Sequence, residues 1–153
     1  MKFLELKIPP LLLVLLFGAA MWLGANLVPA LTLAGTVTWL TPTIIAGIGG
    51  IFAILGVKDF RSAKTTVNPT TPSEASTLVT TGVYKVSRNP MYVGLFFLLF
   101  AWGIVLNNWL SLGFAPLFVL YMNRFQISVE EKALLTLFGS DYETFTQNVK
   151  RWL

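Results

Sequence analysis

The sequence predicts an all-α integral membrane protein. It would have about four transmembrane helices, the last two a short hairpin, with C-terminal amphipathic helices on the cytoplasmic face. Three observations carry this. The 153 residues are 55% hydrophobic and only 12% charged, whereas soluble domains carry about 25% charged residues. Mean hydropathy is +0.70. All 11 Lys and Arg residues fall in three places, separated by apolar runs. No internal repeat and no strand-like alternation occurs, so the 153 residues read as a single domain.

The first run, about 8–28, is long enough to cross a hydrocarbon core of about 30 Å. Lys2 and Lys7 ahead of it also suit a signal peptide, but the run exceeds a usual signal core and no A-x-A site follows. The second run, about 43–57, is rich in small residues (Ala46, Gly47, Gly49, Gly50, Ala53), which let helices approach closely in lipid. The third and fourth, about 91–106 and 109–123, are separated by Asn107-Asn108. They are short for spans and read as a tight helical hairpin, accommodated by local thinning or tilt.

The cations sit at the N-terminus (Lys2, Lys7), in the loop 58–90, and from Arg124 onward; Leu27 to Pro42 and Asn107 to Leu110 have none. With four spans all three basic places share one side, which the positive-inside rule makes cytoplasmic. Both termini are then cytoplasmic, at the inner (plasma) membrane if the source is bacterial. Trp22, Trp39, Trp102 and Trp109 lie near predicted span ends, as an aromatic belt would. The segment 126–153 reads as two short amphipathic helices, with Gly139-Ser140 as stop and restart. Its closing Val149 to Leu153 reads mainly as a membrane-surface anchor.

Composition also limits the chemistry. Neither Cys nor His is present, which removes a thiol nucleophile and the commonest base and metal ligand. No metal-ligand cluster, phosphate loop or dinucleotide fingerprint occurs, and the net charge of +4 is read as membrane topology rather than nucleic-acid affinity. The polar residues concentrate at two predicted helix starts on the cytoplasmic side. At the first, Asn89 suits an N-cap and Pro90 the first helical position. Arg88 adds a cation to that positive helix end, Tyr84 and Tyr92 add aromatic faces and hydroxyls, and Gly94 permits close approach. At the second, Ser128 with Glu131 fits a capping box, as does Ser140 with Glu143; Glu131 is thus either a cap or a ligand-facing acid, with Glu130 turned elsewhere. Arg124 fits a snorkelling anchor, a partner for Glu130 or Glu131, or an anion contact.

"GVYKVSRNPMYVG", then "VEE" beyond the hairpin and "LFGSDYETFTQNVKRW" at the end, resembles the isoprenylcysteine carboxyl methyltransferase and phospholipid methyltransferase superfamily. That superfamily shows G-x-Y-x-x-x-R-H-P-x-Y-x-G, a hydrophobic hairpin and E-E. The resemblance covers about residues 58 to 153. It implies S-adenosylmethionine as methyl donor, with S-adenosylhomocysteine as product, bound in a cytoplasmic pocket beneath the C-terminal segment. It implies a lipophilic or small acceptor, a carboxylate, thiol or amine, entering from the bilayer, and no metal. Carried over by position, Tyr84, Arg88, Asn89, Pro90, Tyr92 and Gly94 would line the cofactor pocket. Glu130 and Glu131 would meet the cofactor's polar end, with Arg88, Arg124 and Glu131 serving catalysis. Asn89 stands where better-known members have histidine, and asparagine cannot act as a base near neutral pH. The competing readings are a non-catalytic membrane scaffold or cofactor-binding partner, and a NADPH-dependent membrane reductase.

Overall fold

The computed structural model describes residues 2–31, 35–66 and 68–153. Every regular element among them is helical. Helix α1 spans Pro10–Ala25, α2 Gly35–Ser62, α3 Pro90–Val105, α4 Trp109–Tyr121 and α5 Ser128–Asn148. A π-helical turn, Met122–Ile127, joins α4 to α5.

The elements begin where backbone chemistry dictates. Pro9 precedes α1 and Pro10 opens it, the position where a missing N–H costs nothing. The helix stops at Ala25, short of the expected 28, because Asn26 and Leu27 turn back onto Gly24 and Leu23 and Pro29 follows. The largest departure is α2. It begins at Gly35 rather than near Thr43 and carries Pro42 in its interior. Proline there removes one hydrogen bond but does not end the helix, because the residues on both sides remain helix-compatible. At 28 residues α2 is about 42 Å long. It is also the one helix among the described residues that is long and apolar enough to cross a membrane by that measure; α1 and α3 are shorter apolar helices. Residues 32–34, within the expected loop, lie outside the described residues.

The α3–α4 hairpin forms as Asn107-Asn108 predicts. Asn107 takes a positive φ of 51°, a conformation asparagine tolerates better than most. Asn108 caps α4, its Oδ1 accepting from Leu110 N and Ser111 N. Its buried amide also donates to the carbonyls of Ala25, Val28 and Pro29, so one side chain closes the hairpin and holds the end of α1. Ser111 Oγ donates to Met21 O at 2.8 Å, and Phe17 packs edge-on against Phe114 and Phe118.

Helices α2 and α3 meet backbone to backbone. A Cβ on Gly94 would lie 2.5 Å from Gly49 O, and one on Gly56 would lie 2.7 Å from Met91. Gly49, Ala53 and Gly56 thus serve packing, as the small-residue run suggests, whereas Gly47 and Gly50 face open space. The helices alternate in direction. At one end Leu6 N donates to Phe125 O and Arg88 N to Lys150 O; at the other Leu31 N donates to Asn107 O. The small core of Leu13, Met21, Tyr92, Leu95, Leu99, Phe118, Met122 and Ile127 fills the centre, while Leu11, Leu15, Leu40, Ile51, Ile54 and Leu120 point outward, exposed.

Three capping expectations fail, one of them Ser140 with Glu143, which among the described residues serve only as backbone acceptors for Thr144 and Thr146. Ser128 does not start a helix: the chain enters α5 already helical, and Ser128 Oγ donates back to Arg124 O. The Ser128/Glu131 capping box therefore does not form. Asn89 occupies the cap position of α3 but makes no side-chain cap. The break at Gly139 is real, with φ 50° and ψ −123° inside α5.

Candidate cofactor site

The site lies at the end of the bundle that carries residues 84–92, 126–131 and 149–153. Its framework is local. Asp59, near the end of α2, receives Val83 N on Oδ2 at 2.9 Å. Gly82 has a φ of +58°, and a Cβ there would strike the Asp59 carboxylate. This pins the short turn Gly82–Lys85, which inserts the buried Tyr84 against Phe60, ring centroids 5.2 Å apart.

The C-terminal segment then folds over the turn. Asn89 Nδ2 donates to Arg151 O at 2.9 Å, Ser87 Oγ donates to the same carbonyl, and Arg88 N donates to Lys150 O. Trp152 Nε1 donates to Asn123 Oδ1, and its ring meets Phe96. The closing residues are thus a strap fastened to the start of α3, not a free membrane anchor. The asparagine expected to cap α3 holds this strap.

Glu131 is the hub. It receives Arg88 at 3.1 Å on Oε1 and Arg151 through both Nε and Nη2, a two-point contact of the geometry guanidinium favours. That pairing raises the Arg151 pKa. Glu130, next in sequence, meets no cation. Its Oε1 accepts from Tyr92 Oη at 2.5 Å and from Gln126 Nε2 at 2.6 Å. Burial is the main cause that raises its pKa, assisted by the neighbouring Glu131 charge. Gln126 Nε2 also donates to Pro69 O in the loop segment 68–81. The π-helical turn aims Gln126 inward, and such turns recur at functional sites.

Two small cavities flank these acids. One, about 60 Å³, is lined by Tyr84, Arg88, Asn89, Glu130, Glu131 and Tyr142, among others. The second, about 80 Å³, lies under the loop residues Thr66, Asn68, Pro69 and Pro72 and reaches Met91 and Tyr92. Phe60, Ala75, Glu130 and Leu134 line both. Tyr84 Oη and Arg88 Nε are buried without a hydrogen-bond partner. Burial pushes the Tyr84 phenol up, and pushes Tyr142 up to about 12, so both stay neutral donors.

The structure thus gathers Tyr84, Arg88, Asn89, Tyr92, Glu130 and Glu131. It does not gather Gly94 or Arg124. Gly94 faces α2, where its missing side chain admits Gly49, and Pro90 likewise backs onto Gly56. Arg124 is exposed on the π-helical turn and joins neither ion pair of Glu131. Sequence reasoning missed Arg151, Gln126, Tyr142 and Asp59. The "KRW" close offered a cation and an aromatic, but their partners lie 20 or more positions away in sequence.

Comparison with known proteins gives the chain a class. The chain is 36% identical over 75 residues to protein-S-isoprenylcysteine O-methyltransferase of Schizosaccharomyces pombe, covering 47% of this chain and 30% of that enzyme. It thus spans under a third of the length of that relative. Over 63 residues it is 41% identical to a Haemophilus influenzae protein described only as uncharacterized, covering 41% of this chain and all of that relative. The class is methyltransferase. The sequence model of the phospholipid methyltransferase family matches residues 37–141, and the chain belongs to that family.

Proposed function

We propose that this protein transfers a methyl group from S-adenosylmethionine to a lipophilic or small acceptor at the cytosol–membrane boundary. The observation that carries the reading is the pair of buried, unpartnered donors, Tyr84 Oη and Arg88 Nε, lining the same cavity as two acids. Leaving a buried donor unpaired costs about 1–3 kcal/mol, and a ligand carboxylate placed there would satisfy both. The residues therefore suit an amino-acid-bearing cofactor: Tyr84 and Arg88 for its carboxylate, Glu130 and Glu131 for its cationic groups, Asn89 for the strap that covers it.

The cofactor would supply an already activated methyl group. The protein's task is then alignment and exclusion of water. Ligand pockets of this kind measure about 300–1,000 Å³, well above the cavities of about 60 and 80 Å³. Residues 68–81, held to Gln126 through Pro69 O, would swing aside for entry and close again. Four spans with both termini cytoplasmic remain our reading of the topology. The outward apolar faces of α1, α2 and α4 support it, because exposed patches of that extent suit contact with lipid.

Calorimetric titration of the detergent-purified protein with S-adenosylmethionine and S-adenosylhomocysteine, with NADPH as control, tests the proposal. Saturable binding of the first two is expected. Binding of NADPH alone would point to a reductase, and binding of none by folded protein to a scaffold. Arg88→Ala should abolish binding of both.

A further inference from the structure

An open hollow of about 740 Å³ lies outside the candidate cofactor site and is lined by α2 alone: Ala53, Ile54, Val57, Lys58, Arg61 and Ser62. None of these six lines either cavity of the cofactor site. Their spacing places them on two neighbouring rows of one helix face. At 1.5 Å per residue the stripe is about 14 Å long. It changes character halfway. Ala53, Ile54 and Val57 are apolar, and the exposed Ile44, Ile48 and Ile51 extend α2's apolar surface toward its start. Lys58, Arg61 and Ser62 are polar and exposed. Neither cation belongs to an ion pair among the described residues, and no acid lines the hollow. Asp59 lies between them in sequence, but its carboxylate is turned to the backbone of Gly82 and Val83. Lys64, also exposed, adds a third cation just beyond the helix.

We infer that this face of α2 binds an anionic phospholipid as a structural ligand, separate from any methyl acceptor. The phosphate meets Lys58, Arg61 and the Ser62 hydroxyl, and an acyl chain runs along Val57, Ile54 and Ala53. The inference rests on the membrane topology proposed above and not on methyl transfer. In that topology Lys58 and Arg61 lie at the level of the cytoplasmic headgroups, where anionic lipids draw basic segments next to a span. Charge complementarity selects the lipid. A zwitterionic headgroup would bring its own ammonium beside two cations, with no acid in the lining to receive it. A free phosphate would leave the apolar half of the stripe uncovered. A second copy docked about a two-fold axis presents the same patch to itself, which would set Lys58 and Arg61 against their own counterparts. A bound lipid also steadies the last turn of α2. Phe60 on that turn packs against Tyr84, and the chain leads from there toward the loop over the second cavity.

Native mass spectrometry of the delipidated, detergent-purified protein tests this, with dioleoylphosphatidylglycerol and dioleoylphosphatidylcholine as probes and glycerol phosphate as soluble competitor. We expect one saturable phosphatidylglycerol per chain, preferred over phosphatidylcholine by about 20-fold, at roughly fivefold for each cation. The double variant Lys58→Gln/Arg61→Gln should lose that preference, and Ile54→Ser should weaken both lipids. All three side chains are exposed, so the variants should keep the wild-type Tm in lipid-free detergent. Lys132→Gln removes an exposed cation from α5 and should leave phosphatidylglycerol binding within about twofold, since attraction to a single site does not depend on a distant charge. Equal binding of the two lipids, or an equal loss in Lys132→Gln, would overturn the site in favour of diffuse attraction. Displacement by glycerol phosphate would make it a free-phosphate site. A dimer that the double variant abolishes, with no lipid bound, would make it an interface between copies. S-adenosylhomocysteine titrated into the same samples separates the two readings: its failure to bind would sink the methyltransferase and leave the lipid site standing.

Discussion

The α2–α3 seam and the polar end of the bundle hold the same helices by opposite means. At the seam small residues set the spacing: Gly49, Gly56 and Gly94 let the two helices approach closely, and dispersion supplies the attraction. At the polar end, beside an apolar cluster around Tyr84 and Tyr142, directed hydrogen bonds join residues far apart in sequence, such as Asn89 to Arg151 and Arg151 to Glu131. The seam is therefore sensitive to volume and indifferent to charge. The polar end tolerates volume better and depends on donors, acceptors and pH. The first region should govern stability, the second binding.

That division can be broken most sharply at Gly94. Gly94→Leu should prevent stable folding, since even a Cβ would meet Gly49 O at 2.5 Å and overpacking of this kind typically costs about 1–3 kcal/mol or more. Thermal unfolding in detergent would show it, and an unchanged Tm would refute the close seam. Glu131→Gln should do the reverse. Loss of one charge-assisted partner is worth about 1.5–3 kcal/mol, so S-adenosylhomocysteine should bind roughly 10- to 100-fold more weakly. Stability should fall by only about 1 kcal/mol, because Arg151 remains partly in solvent. No capping box exists to confuse that result.

Asn108→Ala sits between the two classes, a polar group doing structural work far from the site. Losing its cap to Leu110 and Ser111 should cost about 1–2 kcal/mol and leave product affinity, measured on folded protein, unchanged. A smaller effect is expected from pH. The folded pKa of Glu130 is raised above its ordinary value of 4.5, so the folded state holds that proton more tightly than the unfolded chain. Its contribution is fully present below about 4.5 and lost as pH rises through the folded pKa. Glu130→Gln should therefore flatten the loss of Tm over that window. Gly50→Ala should change almost nothing, because that position opens on free space, and it serves as the control for Gly94.

Much of this was legible in the residues. The Asn107-Asn108 break, the Pro90 start and the Gly139 interruption each follow from local backbone chemistry, and the structure repeats them. Local signals misled where a longer-range partner outcompeted them. The second apolar run was expected over about 43–57, yet the helix begins at Gly35 and continues through Pro42. Ser128 and Glu131 matched a capping box, but the continuous helix leaves no free N–H groups for them to cap, and Glu131 turns to two arginines instead.

The sequence by itself determined the helical class, the order of the helices and the group of Tyr84, Arg88, Tyr92 and the two acids, because composition, helix punctuation and motif spacing are properties of neighbouring residues. Only the tertiary structure decided that Arg151 closes the site, that Gly94 serves packing, and that Glu130 and Glu131 face different surroundings. Adjacent residues on a helix project about 100° apart, so what each one meets depends on elements brought in from elsewhere in the chain, and no local pattern encodes that.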